Sequence, residues 1–409
     1  MRTGSRLSHQ VLIALSVLLA TGLGAGISDA QVKTVNADCD REQSIGKALT
    51  LGDERKPLVV IVQGMCTEHV TIARDDVTLQ GHPAGGAVMG PDPSQNTILI
   101  DGARRVVIEN LSVSGGRNGV AGVGGAAFTL RNSVIQNSNL NGIAVRNNSQ
   151  AIIDGNVVEG HARDGLQVVG SNATITANTI RNNRRYGILV FESGSALIGL
   201  TDSEVPAGNV IEQNDLDGIE VVHASSATLY ANTIRNNGAV AGRFGVLAVA
   251  NSVIRLLGLN TITSNGNGTF GGGAYVRSST LFVGKGDSVV TPNNNNISSN
   301  AGPGILAEEN ATLDLRDGLT VTSNMNAGVV LNHGSRLRIL NTTVSGNSLS
   351  GIFLSLASSA RFLTPAAVVT GNGFWGLLCS DGEGSYTGNI SGISGSPGNP
   401  SGAVNCTGF

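Results

Sequence analysis

The chain has 409 residues, of which 57 are Gly and only 13% are charged. Its 26 basic and 29 acidic side chains give a formal net charge of −3, so it lacks the positive excess typical of nucleic-acid-binding proteins. The apolar share of 40% is too high for a disordered chain. We therefore expect a folded, turn-rich protein of low charge that has no nucleic acid as a partner.

Residues 1–30 are predicted to be a secretory signal peptide. Arg2 and Arg6 precede an apolar run from Val11 to Leu23, and residues 28–30, Ser-Asp-Ala, resemble a cleavage site. The run is shorter than the roughly 20 residues that span a bilayer. We expect an exported protein, secreted or periplasmic, with no membrane span after cleavage.

The four cysteines, Cys39, Cys66, Cys379 and Cys406, all lie beyond the predicted cleavage point. An even number in an exported protein indicates disulfides. Three pairings are open, and we favour Cys39–Cys66 with Cys379–Cys406, because each pair is close in sequence and the pairs lie at opposite ends. A zinc site is the alternative, but no C-x-x-C motif and no neighbouring His supports it.

One short pattern recurs along most of the chain: Gly, an aliphatic residue, any residue, and a second aliphatic residue. Clear copies begin at these glycines: Gly142, Gly165, Gly187, Gly218, Gly245, Gly273, Gly304, Gly328, Gly351 and Gly376. A second pattern, Ala-Asn-Thr-Ile-Arg-Asn-Asn, occurs identically at 177–183 and 231–237. A repeat of roughly 22 to 31 residues with short β-rich runs indicates a solenoid.

Each repeat has room for two or three short strands joined by Gly, Asn and Ser turns. Stacked coils lie about 4.8 Å apart, so their strands pair in parallel and their inward aliphatic side chains form one core. The repeated Asn residues suit left-handed turns and side-chain ladders. The sequence therefore predicts an all-β chain that forms a single parallel β-helix of roughly eleven to thirteen coils.

The boundaries follow from the ends of the repeat. We assign residues 31–57 to an N-terminal cap that contains a short helix from Ser44 to Thr50, and residues 58–379 to the β-helix. Residues 380–409 form a Gly- and Ser-rich tail. A bond from Cys379 to Cys406 would fold this tail across the open end, since exposed strand edges need caps.

On these repeats the chain resembles the right-handed parallel β-helix proteins and is similar to the pectate-lyase-like superfamily. The resemblance rests on the Gly-aliphatic-x-aliphatic and Asn-x-Ile units over about residues 58–379. It implies a right-handed helix with capped ends, and a protein that binds or modifies an extracellular, acidic polysaccharide. An enzyme of this kind would be a polysaccharide lyase, a uronate epimerase or a glycoside hydrolase. The alternative is a non-catalytic surface, structural or protein-binding β-helix protein.

The superfamily's complete catalytic motifs are absent. Gly160-His161-Ala162 is a partial match to the Gly-His-Gly of polygalacturonases, and the Asp-Pro-His of alginate epimerases does not occur. The resemblance therefore assigns no catalytic residue. We expect no cofactor and no metal site, because acidic residues are sparse; a Ca²⁺ ion that holds a uronate carboxylate is the alternative.

Ionisable side chains cluster in three consecutive coils, on positions that alternate with the core and so face outward. Proton abstraction beside a uronate carboxylate needs a base and a group that holds the carboxylate. The candidate catalytic residues are Asp164, Tyr186, Asp217, Glu220 and His223, and the candidate substrate-binding residues are His161, Arg163, Gln167 and Arg185. The stretch Leu200 to Gly208 is expected to form a wall beside them. The alternative is that these are solvated turn residues.

Beyond residue 245 the outward positions become apolar: Leu247, Tyr275, Leu306, Val330 and Phe353. Such a stripe on consecutive coils would dock a partner or a second copy of the chain. The alternative is β-propensity alone, because exposed aliphatic residues are common in strands.

Overall fold

A computed structural model describes residues 32–53, 55–268, 270–284, 294–380, 383–395 and 404–408. The predicted signal peptide and part of the predicted tail lie outside these ranges. The described residues form parallel strands almost throughout, with one α-helix, Ile45–Leu49, and one 3-10 turn, Cys39–Arg41. None of the described helices is long and apolar enough to cross a membrane.

The strands stack into three sheets, because each coil hydrogen-bonds to the coils on either side. Sheet 1 contains the strands that follow the repeated glycine: Val70–Ile72, Ile98–Asp101, Val120–Val123, Ile143–Arg146, Leu166–Val169, Ile188–Phe191, Ile219–Val222, Phe244–Val249, Gly272–Arg277, Ile305–Glu308, Val329–Leu331, Ile352–Leu354, Leu377–Cys379 and Val404–Asn405. Sheet 2 comes next in each coil: Arg104–Glu109, Ala127–Arg131, Gln150–Asp154, Asn172–Thr176, Ser195–Ile198, Ser226–Tyr230, Val253–Gly258, Thr280–Val283, Thr312–Leu315, Arg336–Ile339, Ser359–Phe362, Ser385–Gly388 and Thr407–Gly408. Sheet 3 completes the coil: Ser112–Gly115, Val134–Gln136, Val157–Glu159, Thr179–Arg181, Val210–Glu212, Thr233–Arg235, Thr261–Thr263, Asn296–Ser298, Thr320–Thr322, Thr343–Ser345 and Val368–Thr370.

Three long strands at the N-terminal end, Lys33–Asp38, Leu58–Thr67 and Val77–Gly90, join sheets 2 and 3. The predicted all-β, right-handed parallel β-helix is confirmed. Sheet 1 has 14 strands within the described ranges, more than the predicted eleven to thirteen coils. The excess arises because residues 70–101 and the strand Val404–Asn405 form sheet 1 without the glycine pattern.

The repeated glycine is required by the close approach of neighbouring coils. A Cβ atom on Gly187 would lie 2.6 Å from the carbonyl oxygen of Gly218 and 2.6 Å from a methyl group of Ile211. Neither the backbone oxygen nor the packed methyl group is free to move away. The pattern seen in the sequence therefore marks the point where each coil passes closest to the next.

Two ladders of buried asparagines form hydrogen bonds with the backbone polar groups of the turns. One runs between sheets 2 and 3 and the other between sheets 3 and 1: Asn156, Asn178, Asn209, Asn232, Asn260 and Asn295; Asn183, Asn214, Asn237, Asn265, Asn300, Asn324, Asn347 and Asn372. The Oδ1 of Asn214 accepts from the backbone N–H and side-chain amide of Asn183, at 3.2 and 2.9 Å. Its Nδ2 donates to the carbonyl of Ile180. Buried polar groups are costly unless bonded, and these ladders bond them.

His161 is the first member of the second ladder, and it makes the bonds of an asparagine. Its Nδ1 accepts from the backbone N–H of Ser138 at 3.1 Å, and its Nε2 lies 3.1 Å from the carbonyl oxygen of Ile135. The ring is fully buried, and burial lowers the pKa of His161 to about 4. The prediction that His161 binds substrate is wrong, because the ring replaces a ladder amide inside the solenoid.

Both ends are closed by a disulfide of the predicted pairing. Cys39 is bonded to Cys66, next to the predicted helix, whose first turn donates two backbone N–H groups to Glu68. Cys379 is bonded to Cys406, and the strand before Cys406 pairs with Leu377–Cys379. The described part of the tail therefore adds a further coil to the end of the solenoid.

We predict that His161→Asn removes an acid-sensitive step in stability. The unfolded imidazole titrates near 6.5 and the folded one at about 4, so the unfolded state takes up its proton first as the pH falls. The native protein should lose about 3 kcal/mol from this group between roughly pH 6.5 and pH 4. On going from pH 7.5 to pH 4.5, the free energy of unfolding measured with denaturant should fall more, or rise less, in the wild type than in His161→Asn, because every other titrating group is the same in both proteins. An equal change in the two proteins would contradict the ladder role.

Candidate functional site

The predicted cluster lies on the outer side of sheet 1, at its edge with the turns from sheet 3. Gly165 donates its N–H to the carbonyl of Tyr186, and Gly187 donates to the carbonyl of Asp217. Asp164, Tyr186 and Asp217 therefore occupy the same position on three successive coils. Register pairs Gln167 with Leu189 and Leu189 with Glu220 one step further along the strands. The predicted alignment of Asp164, Tyr186 and Asp217 on successive coils agrees with this register, but Asp164 and Asp217 are buried and do not face outward.

Arginines occupy the turn position just before this column. Arg163 and Arg185 stand there on adjacent coils, joined by a backbone hydrogen bond of 3.0 Å, and Arg117 takes the same position two coils earlier. Arg146 ends the strand Ile143–Arg146 and is half-buried. Burial, and then the charges of Arg117 and Arg163, lower the pKa of Arg146. These four residues, Arg117, Arg146, Arg163 and Arg185, are here called the arginine cluster.

Asp164 lies beneath the arginine cluster and is fully buried. Its Oδ2 accepts from the side-chain amide of Gln167 at 3.3 Å, and its Oδ1 is 3.7 Å from Nε of Arg185. Burial raises the pKa of this carboxyl, while Arg185 and Arg163 oppose the rise. Asp164 was predicted to be catalytic on an outward face, but its side chain is buried beside Arg185 and not open to a polymer.

Asp217 is also fully buried. Its Oδ1 accepts from the backbone N–H of Phe244 at 2.6 Å, and its Oδ2 lies 3.4 Å from Nη1 of Arg243. Burial is the largest cause that raises the pKa of Asp217 to about 7. The predicted catalytic role of Asp217 is likewise corrected, because the next coil covers the carboxylate.

Tyr186 and Glu220 interact with each other on this face. Burial, and then the hydrogen bond and charge of Glu220, raise the pKa of Tyr186 to about 12. The guanidinium of Arg185 stacks over the Tyr186 ring at 4.7 Å. Burial also raises the pKa of the half-buried Glu220. Tyr186 thus stays protonated at neutral pH as a donor, and Glu220 is the acceptor beside it.

Two further predicted residues, Gln167 and His223, lie in different places. Gln167 is buried, and its Oε1 accepts from Arg146 and from Asn141, so it orients the arginine. His223 is exposed and lies in the turn after Ile219–Val222, where its ring contacts Phe191 with centroids 4.8 Å apart. That turn leads to sheet 2, on the opposite edge of sheet 1 from the arginine turns.

The loop expected beside the cluster lies elsewhere. Residues 199–209 connect Ser195–Ile198 of sheet 2 to Val210–Glu212 of sheet 3, and Thr174 donates to Asp202 across the outer side of sheet 2. Asp202 lines a shallow groove of about 610 Å³ there. The stretch Leu200 to Gly208 is a loop, as predicted, but the predicted wall is wrong, because the loop lies over sheet 2 and not beside the cluster.

Unpaired buried polar atoms mark the cluster as a site. Among the described residues, six buried side-chain polar atoms lack a hydrogen-bond partner, and three belong here: Arg146 Nε, Asp164 Oδ1 and Glu220 Oε2. Leaving a buried polar atom unpaired costs roughly 1–3 kcal/mol. Asp164 Oδ1 has the Arg185 guanidinium 3.7 Å away, so Arg146 Nε and Glu220 Oε2 are the two atoms of the cluster that a ligand could pair. The sequence analysis missed Arg146 and Arg117, although both sit on outward positions of the repeat.

The site does not fit a cation. Guanidinium groups of Arg185 and Arg163 face Asp164, and their charge repels Ca²⁺. In the described ranges, close metal-ligand groups are limited to Cys39, Cys66 and Glu68, and the two cysteines are bonded to each other.

Comparisons with known proteins agree with the architecture. A family model described as a right handed beta helix region matches residues 88–205. No curated protein matches the chain. Among solved structures, it is similar to the A-module of a mannuronan C-5 epimerase from Azotobacter vinelandii (14% identity over 82% of this chain and 92% of that chain, TM-score 0.45). It is also similar to a periplasmic alginate epimerase (13%, 92% and 83%, 0.44) and a pectate lyase (10%, 83% and 79%, 0.37). At this level of likeness, none of them assigns an activity to this chain.

We predict that Asp217→Asn removes a loss of stability that accompanies rising pH. The folded carboxyl titrates at about 7 and the unfolded one near 3.8. The folded state therefore keeps a proton that the unfolded state has lost, and the contribution of Asp217 to stability falls as the pH rises through this window, by up to about 1.4 kcal/mol per pH unit. On going from pH 5 to pH 7.5, the free energy of unfolding should fall less, or rise more, in Asp217→Asn than in the wild type, because the opposite pH dependence of His161 is present in both proteins. The exposed Asp202→Asn is the matched control, and an unchanged slope in Asp217→Asn would contradict the assignment.

Proposed function

We propose that the protein binds an acidic polysaccharide across the arginine cluster on the outer side of sheet 1. The observation that carries this proposal is Arg146, whose buried Nε has no hydrogen-bond partner although its charge lies beside Arg117 and Arg163. Bringing like charges together is unfavourable unless an anion joins them. A uronate carboxylate accepts two parallel hydrogen bonds from one guanidinium, which matches what Arg146 and Arg185 offer.

The shape of the face supports a polymer as the ligand. Sheet 1 continues without interruption through successive coils spaced about 4.8 Å apart, so an extended chain meets a new turn position at nearly every sugar. Arg117, Arg163 and Arg185 lie on such turns, and Arg146 lies at the end of a sheet 1 strand. An open cationic track of this kind suits repeated carboxylates better than a single small anion.

A second candidate function is proton transfer on the bound polymer, and the Tyr186–Glu220 pair favours it. Glu220 would remove the proton from the carbon next to the uronate carboxylate, and the neighbouring Tyr186 hydroxyl would donate a proton to the leaving oxygen on the same face, which is a lyase reaction. Protonation of the opposite face of that carbon by solvent water would instead give an epimerisation. The Tyr186 hydroxyl carries its proton at neutral pH, because its pKa is about 12, and the unpaired Oε2 of Glu220 suits an acceptor.

We also propose that the protein acts outside the cytoplasm, secreted or periplasmic. Two disulfides support this location, because such bonds persist in oxidising compartments. Acidic polysaccharides are abundant there, so the location agrees with the ligand. A non-catalytic surface protein remains the alternative to an enzyme, and the two differ only in whether the bound polymer changes.

Replacing Arg146 or Arg185 with Gln should weaken binding of polygalacturonate or alginate about tenfold each, because each change removes a charge-assisted contact. Isothermal titration against the two polyuronates measures this. Arg235→Gln is the matched control, since Arg235 loses the same charge but pairs with Glu212 on sheet 3. Unchanged affinity in both cluster variants, or equal binding of a neutral glucan, would contradict the proposal.

If the protein is an enzyme that acts on the polymer, Glu220→Gln should lower the catalytic rate about 10²- to 10⁴-fold and change the binding affinity by less than about threefold. Ultraviolet absorbance detects unsaturated lyase products, and proton NMR detects epimerised units. Tyr186→Phe should lose rate in the same way while keeping the Arg185 stack. Full turnover in Glu220→Gln would exclude it as the proton acceptor.

A further inference from the structure

The outer side of sheet 2 carries a second concentration of arginines, in the C-terminal half of the solenoid. Register pairs Phe282 with Arg255 on one side and with Asp314 on the other, and it pairs Arg338 with Asp314 and with Arg361. These five outward side chains therefore form one column on successive coils. The arginines of this region, here called the sheet 2 patch, are Arg255, Arg316, Arg336, Arg338 and Arg361.

The sheet 2 patch has a positive excess in a chain whose formal net charge is −3. The five sheet 2 strands that contain the column carry four arginines and one carboxylate, that of Asp314. Arg316 and Asp317 follow the strand of Asp314, so the patch holds five positive and two negative charges. Asp314 is shared: its Oδ1 accepts from Nε of Arg316 at 2.6 Å, and its Oδ2 lies 3.6 Å from Nη1 of Arg338. The carboxylates therefore leave most of the arginine charge uncompensated.

Two arginines of the patch lack the ion pairing seen elsewhere on the same sheet. In the N-terminal half of sheet 2, Arg131 is neutralised by Glu109 of the neighbouring coil, 2.6 Å away. Within the described part of the chain, no carboxylate pairs in this way with Arg336 or Arg361. Arg361 instead stands beside Arg338 in register, and like charges directly opposite on adjacent strands are destabilising. Cations kept together despite this repulsion indicate an anion that bridges them.

Phe282 holds two of the guanidinium groups in place. The guanidinium carbon of Arg255 lies 5.8 Å from the centre of the Phe282 ring, and that of Arg316 lies 5.1 Å from it. Cation–π contacts at this range are attractive, and a stacked guanidinium keeps the N–H groups at its edge available for an anion. Because the ring restrains these long side chains before a ligand arrives, less side-chain entropy is lost on binding.

The C-terminal half of sheet 1 does not offer a polyanion the same charge. Its outward side chains line an apolar groove of about 620 Å³, and the one charged group among the described lining residues is Glu308. The members of the predicted stripe that line this groove are Leu306, Val330 and Phe353. Two other members do not: Leu247 is buried, and Tyr275 stacks on Phe244 and donates to Glu308. A polyanion that binds the C-terminal half is therefore expected on sheet 2 and not on sheet 1.

The shape of the patch suits a linear polyanion. The column from Arg255 to Arg361 covers four coil spacings, about 19 Å along the solenoid axis, which is longer than a single small anion can contact. Membrane-binding surfaces combine basic residues with apolar side chains that insert into the lipid. The outward apolar side chains of these strands, such as Val253 and Phe282, are half-buried. A polymer with carboxylates along its length therefore fits the patch better than a phospholipid surface does.

We propose that the sheet 2 patch binds a second segment of the acidic polysaccharide, so that one protein molecule links two polymer chains. The choice of this polymer as the ligand rests on the function proposed above for the arginine cluster. Arg185 of that cluster precedes a sheet 1 strand, whereas Arg255 lies on sheet 2 two coils further along. The two sites face different directions, so a short oligosaccharide reaches only one of them.

Isothermal titration with a short oligogalacturonate tests the second site. The wild type should bind two oligosaccharides per chain, and Arg338→Gln/Arg361→Gln should bind one, because the affinity of the patch should fall about a hundredfold. The matched control is Arg131→Gln/Arg235→Gln, which removes the same charge from arginines that each pair with a carboxylate, and it should still bind two. With long polygalacturonate, the wild type and the control should cross-link the polymer and raise light scattering, and the patch variant should not.

The arginine cluster has a separate readout, so the two proposals can fail independently. One bound oligosaccharide in the wild type, lost in Arg146→Gln/Arg185→Gln and kept in the patch variant, would overturn the second site and leave the first. The reverse pattern would support the second site and overturn the first. Circular dichroism melts should be equal in the wild type and Arg338→Gln/Arg361→Gln, since both substituted side chains are exposed.

Sedimentation with vesicles of phosphatidylglycerol tests a lipid surface as the occupant. The wild type should remain in the supernatant, because the patch lacks exposed apolar side chains that would insert into the bilayer. Vesicle binding that is lost in Arg338→Gln/Arg361→Gln, without a second oligogalacturonate site in the wild type, would assign the patch to a lipid surface and overturn the proposal.

Discussion

The structure depends on one constraint: each coil must bring its backbone within hydrogen-bonding distance of the next at every turn. The repeated glycines permit this approach, as at Gly187, where any Cβ would collide with the Gly218 carbonyl. The asparagine ladders satisfy the polar groups that the approach buries, as in the bonds between Asn183 and Asn214. His161 occupies a position where the other coils carry a ladder asparagine. Its Nδ1 accepts from the Ser138 N–H and its Nε2 lies beside the Ile135 carbonyl, so it reproduces the two bonds of the amide that it replaces.

That internal regularity leaves the outer positions free to vary, and the chain uses them in two ways. The turn position before sheet 1 carries Arg163 and Arg185 in the N-terminal half and Leu349 and Phe374 in the C-terminal half. The same backbone thus presents a cationic track and then an apolar ridge. Function on this scaffold is a matter of which side chains occupy equivalent positions on consecutive coils.

Much of the fold could be predicted from the sequence, because glycine spacing and aliphatic alternation report directly on coil stacking. The disulfide pairing and the alignment of Asp164 with Asp217 followed from the same spacing. The burial of turn residues could not be predicted. The alternation of aliphatic and other residues separates core from surface within a strand, but it does not show that the next coil covers a turn residue such as Asp217. The loop at Leu200 to Gly208 was correctly located along the chain, but its place in space was not, because the repeat pattern does not show which sheet this stretch leaves. Arg146 was missed because it lies one residue beyond the Gly-aliphatic-x-aliphatic unit that begins at Gly142.

We propose that the arginine cluster holds the carboxylates of an acidic polysaccharide. A crystal structure of the protein with an oligogalacturonate is the decisive test. We expect a sugar carboxylate within hydrogen-bonding distance of Arg146 and Arg185, with the oligosaccharide lying over Tyr186 and Glu220. An oligosaccharide bound instead in the groove on sheet 2 beside Asp202, with the arginine cluster empty, would contradict it.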